Sequence, residues 1–202
     1  MRYGMVIDLK LCTACHACAF ACKTQNGTPP TVWWSKVLPH EVGTYPTGRI
    51  FYTPLLCMQC KNAPCVDVCP TGASYKRADG IVAVDYDKCM GCGYCRVACP
   101  YDARSFVTEI QPYHSPEYSF TPYEELMYQK HQAGVAEKCN FCMELVDKGE
   151  QPACVRTCPP GARVFGDLDD PNSEVSKLIA QRNGYQLLPE LGTEPSVYYL
   201  RG

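Results

Sequence analysis

The sequence lacks any run of about 18 consecutive apolar residues, so it predicts no transmembrane helix. Its 19 lysine and arginine residues nearly balance its 21 aspartate and glutamate residues. That balance argues against a nucleic-acid-binding protein, which usually carries a basic face. Histidine is scarce, and Walker A, G-x-S-x-G and H-E-x-x-H motifs are missing. The residues before the first cysteine leave no room for a signal peptide, so we do not expect a secreted disulfide scaffold.

Cysteine is abundant instead, with 16 residues in a chain of 202. Four runs of four contain all of them. Runs one and three have the spacing C-x2-C-x2-C-x3-C, run two C-x2-C-x4-C-x3-C, and run four C-x2-C-x11-C-x3-C. A proline follows runs two, three and four. The runs are Cys12, Cys15, Cys18, Cys22; Cys57, Cys60, Cys65, Cys69; Cys89, Cys92, Cys95, Cys99; and Cys139, Cys142, Cys154, Cys158.

Four complete runs predict four [4Fe–4S] clusters, because each cubane binds four thiolates. In the bacterial ferredoxin run C-x2-C-x2-C-x3-C-P, the fourth cysteine ligates the other cluster. We expect the proline after that cysteine to open a short helix, since proline suits the first helical turn. Two alternatives stay open. One is a set of eight disulfides, and the other is zinc, either throughout or at run four alone. Zinc needs neither the C-P ending nor this spacing.

The spacing between runs predicts the domain organisation. The 19 residues between Cys69 and Cys89 predict a hairpin, with strands at 73–76 and 81–84 around a turn at 79–80. Runs two and three then form a compact two-cluster unit over residues 54–107. Runs one and four belong to an outer unit of residues 1–53 and 108–202, which includes the spacers and the tail. The predicted fold is α+β, with two bacterial-ferredoxin-like units, one inserted in the other, and short helices, hairpins and long loops.

Other segments give local predictions. Strands are expected at 3–9, before run one, and at 163–165, after run four, with an extended segment at 196–200. Residues 23–56 are predicted to be a turn-rich link. Thr121 and Glu124 form a capping box that predicts a helix ending near residue 133, before Gly134. A further helix is expected near 173–182.

This organisation predicts which cysteines share a cluster, because the fourth cysteine of each run should cross to the partner run. Runs two and three exchange their fourth cysteines, and so do runs one and four. The expected groups are Cys12, Cys15, Cys18 and Cys158; Cys139, Cys142, Cys154 and Cys22; Cys57, Cys60, Cys65 and Cys99; and Cys89, Cys92, Cys95 and Cys69.

Several residues near the cysteines have two interpretations. His16 is interpreted as a loop side chain and not a ligand, because its run already has four thiolates. Trp33 and Trp34 are predicted to pack against a cluster lobe, and the tyrosine-rich spacer 101–138 to form an interface. Six basic residues could raise cluster potentials, although solvated surface charges are the simpler interpretation. They are Lys23, Lys61, Lys88, Arg96, Lys138 and Arg156.

The residues themselves predict electron transfer and no catalytic centre. Every expected cluster has all its thiolates, and the sequence offers no acid–base or nucleophile–base pair. The whole chain resembles the iron–sulfur subunits of complex molybdopterin oxidoreductases, the family of dimethyl sulfoxide, polysulfide, thiosulfate and respiratory arsenate reductases. The matching segments begin GMVIDLKLCTACHACAFACK, CMQCKNAPCVDVCPTGASYK and KCNFCMELVDKGEQPACVRTCPPGAR.

The resemblance implies anaerobic respiration with a large catalytic subunit that holds a molybdenum or tungsten pterin cofactor. It also implies a membrane anchor subunit or cytochrome that exchanges electrons with quinol. Members of this family often leave the cytoplasm with their catalytic subunit, so we expect a periplasmic or outer-face location, with a cytoplasmic one as the alternative. The alternative function is a free-standing soluble polyferredoxin.

Overall fold

A computed structural model of the protein describes residues 1–114 and 117–201, and it is built from short helices and strands. The strands are β1 Tyr3–Asp8, β2 Ser35–Val42, β3 Arg49–Leu56, β4 Ser74–Lys76, β5 Val82–Val84, β6 Ser105–Phe106, β7 Ala136–Glu137, β8 Arg163–Asp167 and β9 Val197–Leu200. The helices are α1 Ala17–Asn26, α2 Pro64–Asp67, α3 Tyr94–Val97, α4 Pro122–Met127, α5 Met143–Val146, α6 Ala153–Arg156 and α7 Glu174–Gln181, with 3-10 turns at Tyr128–Lys130 and Pro189–Leu191. Within these described ranges, no helix has both the length and the apolar character that crossing a bilayer requires.

The central sheet has three strands in the order β8-β1-β9. β1 pairs antiparallel with β8, placing Met5 opposite Phe165, and parallel with β9, placing Met5 opposite Val197. The apolar residues of β1 are almost completely buried, which is typical of a strand that is paired on both edges. The sheet therefore brings the segment before run one beside the segment after run four. All three strands occur where the sequence predicts extended chain.

Two smaller sheets connect the remaining runs. The hairpin predicted between runs two and three is present, because β4 and β5 pair antiparallel with Ser74 opposite Val84. β6, which follows run three, pairs with β7, which precedes run four. The buried amide of Gln59 joins these parts, since its Nε2 donates to the Cys139 carbonyl at 2.8 Å and its Oε1 accepts from the Val82 N–H at 2.7 Å.

The segment 23–56 differs from the expected link, because it contains a long hairpin. β2 and β3 pair over eight residues each, from Ser35 opposite Leu56 to Val42 opposite Arg49. The end of the hairpin near Val37 and Leu56 is buried, and the far end is exposed. Burial at one end thus anchors a hairpin whose other half carries exposed apolar residues, such as Ile50 and Phe51.

The prediction that the C-P steps open helices is wrong. The short helices α2, α3 and α6 lie before the fourth cysteine of their runs, and each proline lies in a turn after it. The three fourth-cysteine carbonyls accept hydrogen bonds from the N–H groups of Gly72, Asp102 and Gly161, three residues further on. Proline occupies the second position of these turns, where its fixed φ is favoured.

Helix α4 begins as predicted but ends early. Thr121 and Glu124 form the expected capping box, yet the helix ends at Met127 and only a 3-10 turn follows. His131 is extended because its ring contacts Glu137 Oε1 at 2.6 Å and the Asn26 carbonyl at 2.8 Å. Gly134 does not cap the helix, and its N–H donates to the Val107 carbonyl at 2.6 Å. Helix α7 has the expected position, with Ser173 as its N-cap.

Candidate metal centres

Site 1 is a small cavity lined by sulfur atoms from runs one and four. Its cysteines are Cys12, Cys15, Cys18 and Cys158. The loop before α1 supplies the first two cysteines, and α1 supplies Cys18. Val37 of β2 and Pro54 of β3 also line the cavity, so the long hairpin covers this site.

Site 2 lies beside it and is formed by Cys22 together with Cys139, Cys142 and Cys154. All four cysteines are buried. Burial raises the pKa of the Cys22 thiol well above its usual value, and the neighbouring Cys139, Cys154 and Cys142 raise it further. The Asn26 amide is 3.5 Å from Cys22 Sγ and 3.9 Å from Cys142 Sγ. One amide donor at the end of α1 therefore contacts thiols from both runs.

Site 3 is a second sulfur-lined cavity, in the segment that contains runs two and three. Its cysteines are Cys57, Cys60, Cys65 and Cys99. Burial raises the pKa of the Cys60 thiol to about 12, with further contributions from Cys57, Cys65 and Cys99. The fourth cysteine of run three thus interacts with the first three cysteines of run two.

Site 4 denotes Cys69, Cys89, Cys92 and Cys95. The electrostatic partners of Cys95 include Cys89. Backbone N–H groups point at two of the sulfur atoms, since Ser74 donates to Cys69 Sγ at 3.3 Å and Ala136 donates to Cys89 Sγ at 3.5 Å. N–H donors to ligand sulfur are among the factors that set the potential of an iron–sulfur cluster.

The chemistry of the donor set fits a cubane cluster. Buried thiols with raised pKa values are favourable only when they are protonated or bound to a positive metal core. In the described ranges, no three His, Cys, Asp or Glu side chains converge as the ligands of a single ion would. A cubane needs no such convergence, because each of its thiolates binds a different iron.

Single cysteines connect neighbouring sites. Cys154 of site 2 interacts electrostatically with Cys18 of site 1. Cys139 of site 2 interacts in the same way with Cys57 of site 3, and Cys95 of site 4 interacts with Cys65 of site 3. These electrostatic interactions link site 1 to site 2, site 2 to site 3, and site 3 to site 4.

The exposed cysteines belong to the first and last sites. Cys15 of site 1 and Cys92 of site 4 are the exposed cysteines, whereas the four cysteines of site 2 are buried. The two ends of the row therefore lie nearer to the protein surface than its middle.

The six basic residues that the sequence singled out fall into two classes. Lys61, Lys88, Arg96 and Arg156 are exposed, as expected for solvated surface charges. Lys23 and Lys138 are buried and donate to backbone carbonyls, which include Pro29 at 2.7 Å for Lys23 and Cys139 at 2.8 Å for Lys138. Burial lowers the pKa of Lys23 to about 8. These two lysines hold loops in place around the sites.

The other residues have mixed environments, and the roles predicted for the tryptophans and for the tyrosine-rich spacer stay predictions. His16 is exposed next to the start of α1. Trp34 is buried with its ring centroid 6.1 Å from that of His131, and Trp33 packs edge-on against Phe20 at 5.6 Å. In the tyrosine-rich spacer, Tyr113, Tyr118 and Tyr123 are exposed.

Two buried arginines, Arg104 and Arg163, were not identified from the sequence. Each lies five residues after the fourth cysteine of its run, in the repeated pattern C-P-x-x-A-R. Arg163 lines site 1 and Arg104 lines site 3. The repetition of arginine at the same offset from two cysteines was the available signal.

The comparisons with known proteins identify iron–sulfur chemistry. The family model described as a 4Fe-4S dicluster domain matches residues 49–115 and 108–168. The matched segments define the chain as an iron–sulfur protein with more than one [4Fe–4S] cluster.

Relatives that match nearly the whole chain show which iron–sulfur family it belongs to. The chain is 47% identical to a Halobacterium salinarum protein provisionally named as an iron-sulfur subunit of dimethyl sulfoxide reductase, covering 100% of the chain and 79% of the relative. It is 46% identical to a selenate reductase subunit of Mesobacillus selenatarsenatis, and the match covers 99% of the chain and 72% of the relative. It is 41% identical to the arsenate respiratory reductase iron-sulfur subunit of a Shewanella species, and the match covers 100% of the chain and 97% of the relative. The chain therefore belongs to the family of iron–sulfur electron-transfer subunits of these reductase complexes.

Proposed function

We propose that sites 1 to 4 each hold one [4Fe–4S] cluster and that electrons pass along them in that order. The observation that carries the proposal is that three of the four fourth cysteines lie with the cysteines of another run. Cys158 lines a cavity with run one, and Cys99 lines a cavity with run two. Cys22 interacts with three cysteines of run four. The electrostatic interactions between cysteines of neighbouring sites support an arrangement of the four sites in a single row.

The clusters supply one-electron oxidation and reduction, and the chain supplies their environment. Site 2 is enclosed by buried residues, whereas sites 1 and 4 each include an exposed cysteine. Electrons can enter and leave efficiently only where a cluster approaches the surface. The ends of the row are therefore the exchange points with partners.

We also propose the nested organisation, with the unit of residues 54–107 inserted into the unit of 1–53 and 108–202. The pairing of β1 with β8 supports it, because these strands flank runs one and four. The β4–β5 hairpin supports it as well, since it joins runs two and three directly.

The proposed partners are a large molybdenum or tungsten pterin catalytic subunit and a membrane anchor subunit or cytochrome linked to quinol. The names of the relatives, which are subunits of reductases, support this assignment. Exposed apolar side chains lie close in sequence to both end sites. They are Leu11 and Phe20 near site 1, and Met90, Tyr94 and Val97 near site 4.

The test is anaerobic purification of the native complex. We expect the chain to be isolated with a large pterin-containing subunit, and its four clusters to contribute about sixteen iron and sixteen sulfide per chain. A value near half of that, with zinc making up the remainder, would contradict four clusters. Isolation of a stable, fully loaded monomer would favour the free-standing polyferredoxin.

The proposed location is the periplasm or the outer face of the cytoplasmic membrane, reached together with the catalytic partner. We expect fractionation of the native host to find the chain outside the cytoplasm, and removal of the partner's export signal to retain it inside. A cytoplasmic chain in cells with an intact partner would establish the alternative location.

A further inference from the structure

Arg104 and Arg163 are equivalent residues in the two halves of the row of sites. Each follows a fourth cysteine by five positions, and each is 3% exposed. Each also donates to a serine hydroxyl, since Arg104 Nη1 lies 2.8 Å from Ser74 Oγ and Arg163 Nη2 lies 3.2 Å from Ser35 Oγ. Ser74 is itself five residues after the fourth cysteine of run two. In runs two and three, the position five residues after the fourth cysteine is therefore Ser74 in one run and Arg104 in the other, and the serine orients the arginine.

Both guanidinium groups have unsatisfied donors. Nε and Nη2 of Arg104, and Nε of Arg163, are buried without a hydrogen-bond partner. In the described part of the chain, neither arginine forms an ion pair with a carboxylate. An unpaired buried cation is destabilising by several kcal/mol or more. Such a group is expected to face a negative charge of another kind.

The nearby charges are cysteine sulfurs. Arg104 lines the site 3 cavity with Cys57 and Cys65, and it also interacts electrostatically with Cys95 of site 4. Burial by itself would lower the pKa of Arg104, but these thiols raise it above its usual value.

Arg163 has the same arrangement in the other half of the row. It lines the site 1 cavity with Cys18, and it interacts electrostatically with Cys154 and Cys139 of site 2. Burial opposes its charge as well, but Cys154, Cys18, Tyr199 and Cys139 together outweigh that effect and raise the pKa of Arg163.

We propose that Arg104 and Arg163 are potential-setting residues, each raising the reduction potentials of the two clusters between which it lies. This inference rests on the proposed function, because it assigns clusters to sites 1 to 4. A [4Fe–4S]²⁺ core with four thiolates carries a charge of about −2, and reduction adds one more negative charge. A fixed cation and N–H donors near the sulfurs stabilise the reduced state more than the oxidised state. Arg163 therefore acts on sites 1 and 2, and Arg104 acts on sites 3 and 4.

The experiment is an EPR-monitored redox titration of the native complex with Arg104→Gln and Arg163→Gln, each variant serving as the control for the other. We expect Arg104→Gln to make two clusters at least about tenfold harder to reduce, which is about 59 mV for a one-electron couple. Arg163→Gln should shift the other two clusters by a similar amount. Arg→Lys at either position keeps the charge and should retain most of the wild-type potential.

Potentials that stay unchanged in both glutamine variants, with iron content intact, would overturn the proposal. If Arg104→Gln loses iron, Arg163→Gln decides instead, because it removes the equivalent charge in the other half of the row. A downward shift of only two clusters in Arg163→Gln supports the proposal, and unchanged potentials overturn it. Cys→Ser substitutions test the ligand assignment of the proposed function separately. If that assignment is wrong but the arginines do set potentials, the two glutamine variants still shift two different pairs of clusters.

Discussion

A Cys158→Ser substitution is expected to alter the same cluster signal as Cys12→Ser and to leave unchanged the signal that Cys22→Ser alters. The reason is that Cys158 lines one cavity with Cys12, Cys15 and Cys18, while Cys22 lies with run four. Replacing a thiolate removes the strong ligand of one iron, so we expect partial or complete loss of one cluster. That is up to roughly a quarter of the iron of a four-cluster chain.

EPR spectra of the reduced complex, combined with iron analysis, measure this grouping. Thr157→Ser is a suitable control, because Thr157 is exposed and adjacent to Cys158 but is not a proposed cluster ligand. It should leave all the signals unchanged. A different result would favour sequential pairing, in which each run holds its own cluster. In that case Cys158→Ser and Cys139→Ser would alter one signal, and Cys12→Ser and Cys22→Ser would alter another.

The same experiment has a counterpart in runs two and three. Cys99→Ser should alter the signal that Cys57→Ser alters, because both cysteines line site 3. Cys69→Ser should instead affect the cluster of Cys89, Cys92 and Cys95. Agreement of both halves would establish the exchange of fourth cysteines as a property of the repeated unit.

The sequence was sufficient for the elements adjacent to the cysteines. The strands that flank runs one and four, the short hairpin between runs two and three, and helix α7 all lie close to their predicted positions. Their signals are local, since β-branched residues, an Asp79-Gly80 turn and an N-cap serine specify them without help from distant parts of the chain. The iron–sulfur chemistry was also accessible, because ligand spacing in this class is itself a local pattern.

The elements that depend on distant contacts were not predictable in the same way. The β2–β3 hairpin is anchored through Val37 and Leu56 in the core while its far end is exposed, so the apolar residues of that end do not show where the strands pack. Helix α4 ends at Met127, and the 3-10 turn after it ends just before His131, which contacts Asn26 and Glu137. The repeated C-P-x-x-A-R pattern marks Arg104 and Arg163 in the sequence, but their burial beside cysteines of other segments is a property of the folded chain.

A Gly91→Ala substitution is expected to remove the cluster of site 4 or to destabilise its loop by about 2–5 kcal/mol. Gly91 lies between Cys89 and Cys92 and has a φ of +73°. This left-handed conformation costs a residue with a Cβ about 1–2 kcal/mol. A Cβ at Gly91 would also lie 2.3 Å from the carbonyl oxygen of Gly134. That oxygen belongs to a backbone segment tied to Val107 by a hydrogen bond, so the segment cannot move without breaking the bond.

Gly93→Ala provides a matched control in the same loop. Gly93 has a φ of +78°, on the other side of Cys92, but a Cβ at that position would meet no atom within 4 Å. It therefore tests the left-handed conformation alone, and we expect it to cost only about 1–2 kcal/mol and to retain the cluster. Thermal loss of visible absorbance and iron analysis of the intact complex measure both variants. Equal effects of the two substitutions would contradict the prediction, because they would show that the left-handed conformation alone accounts for the cost. A much larger loss of stability or iron in Gly91→Ala would show that the loop of run three needs the close approach of Gly91 to Gly134 to hold its cysteines around a cluster.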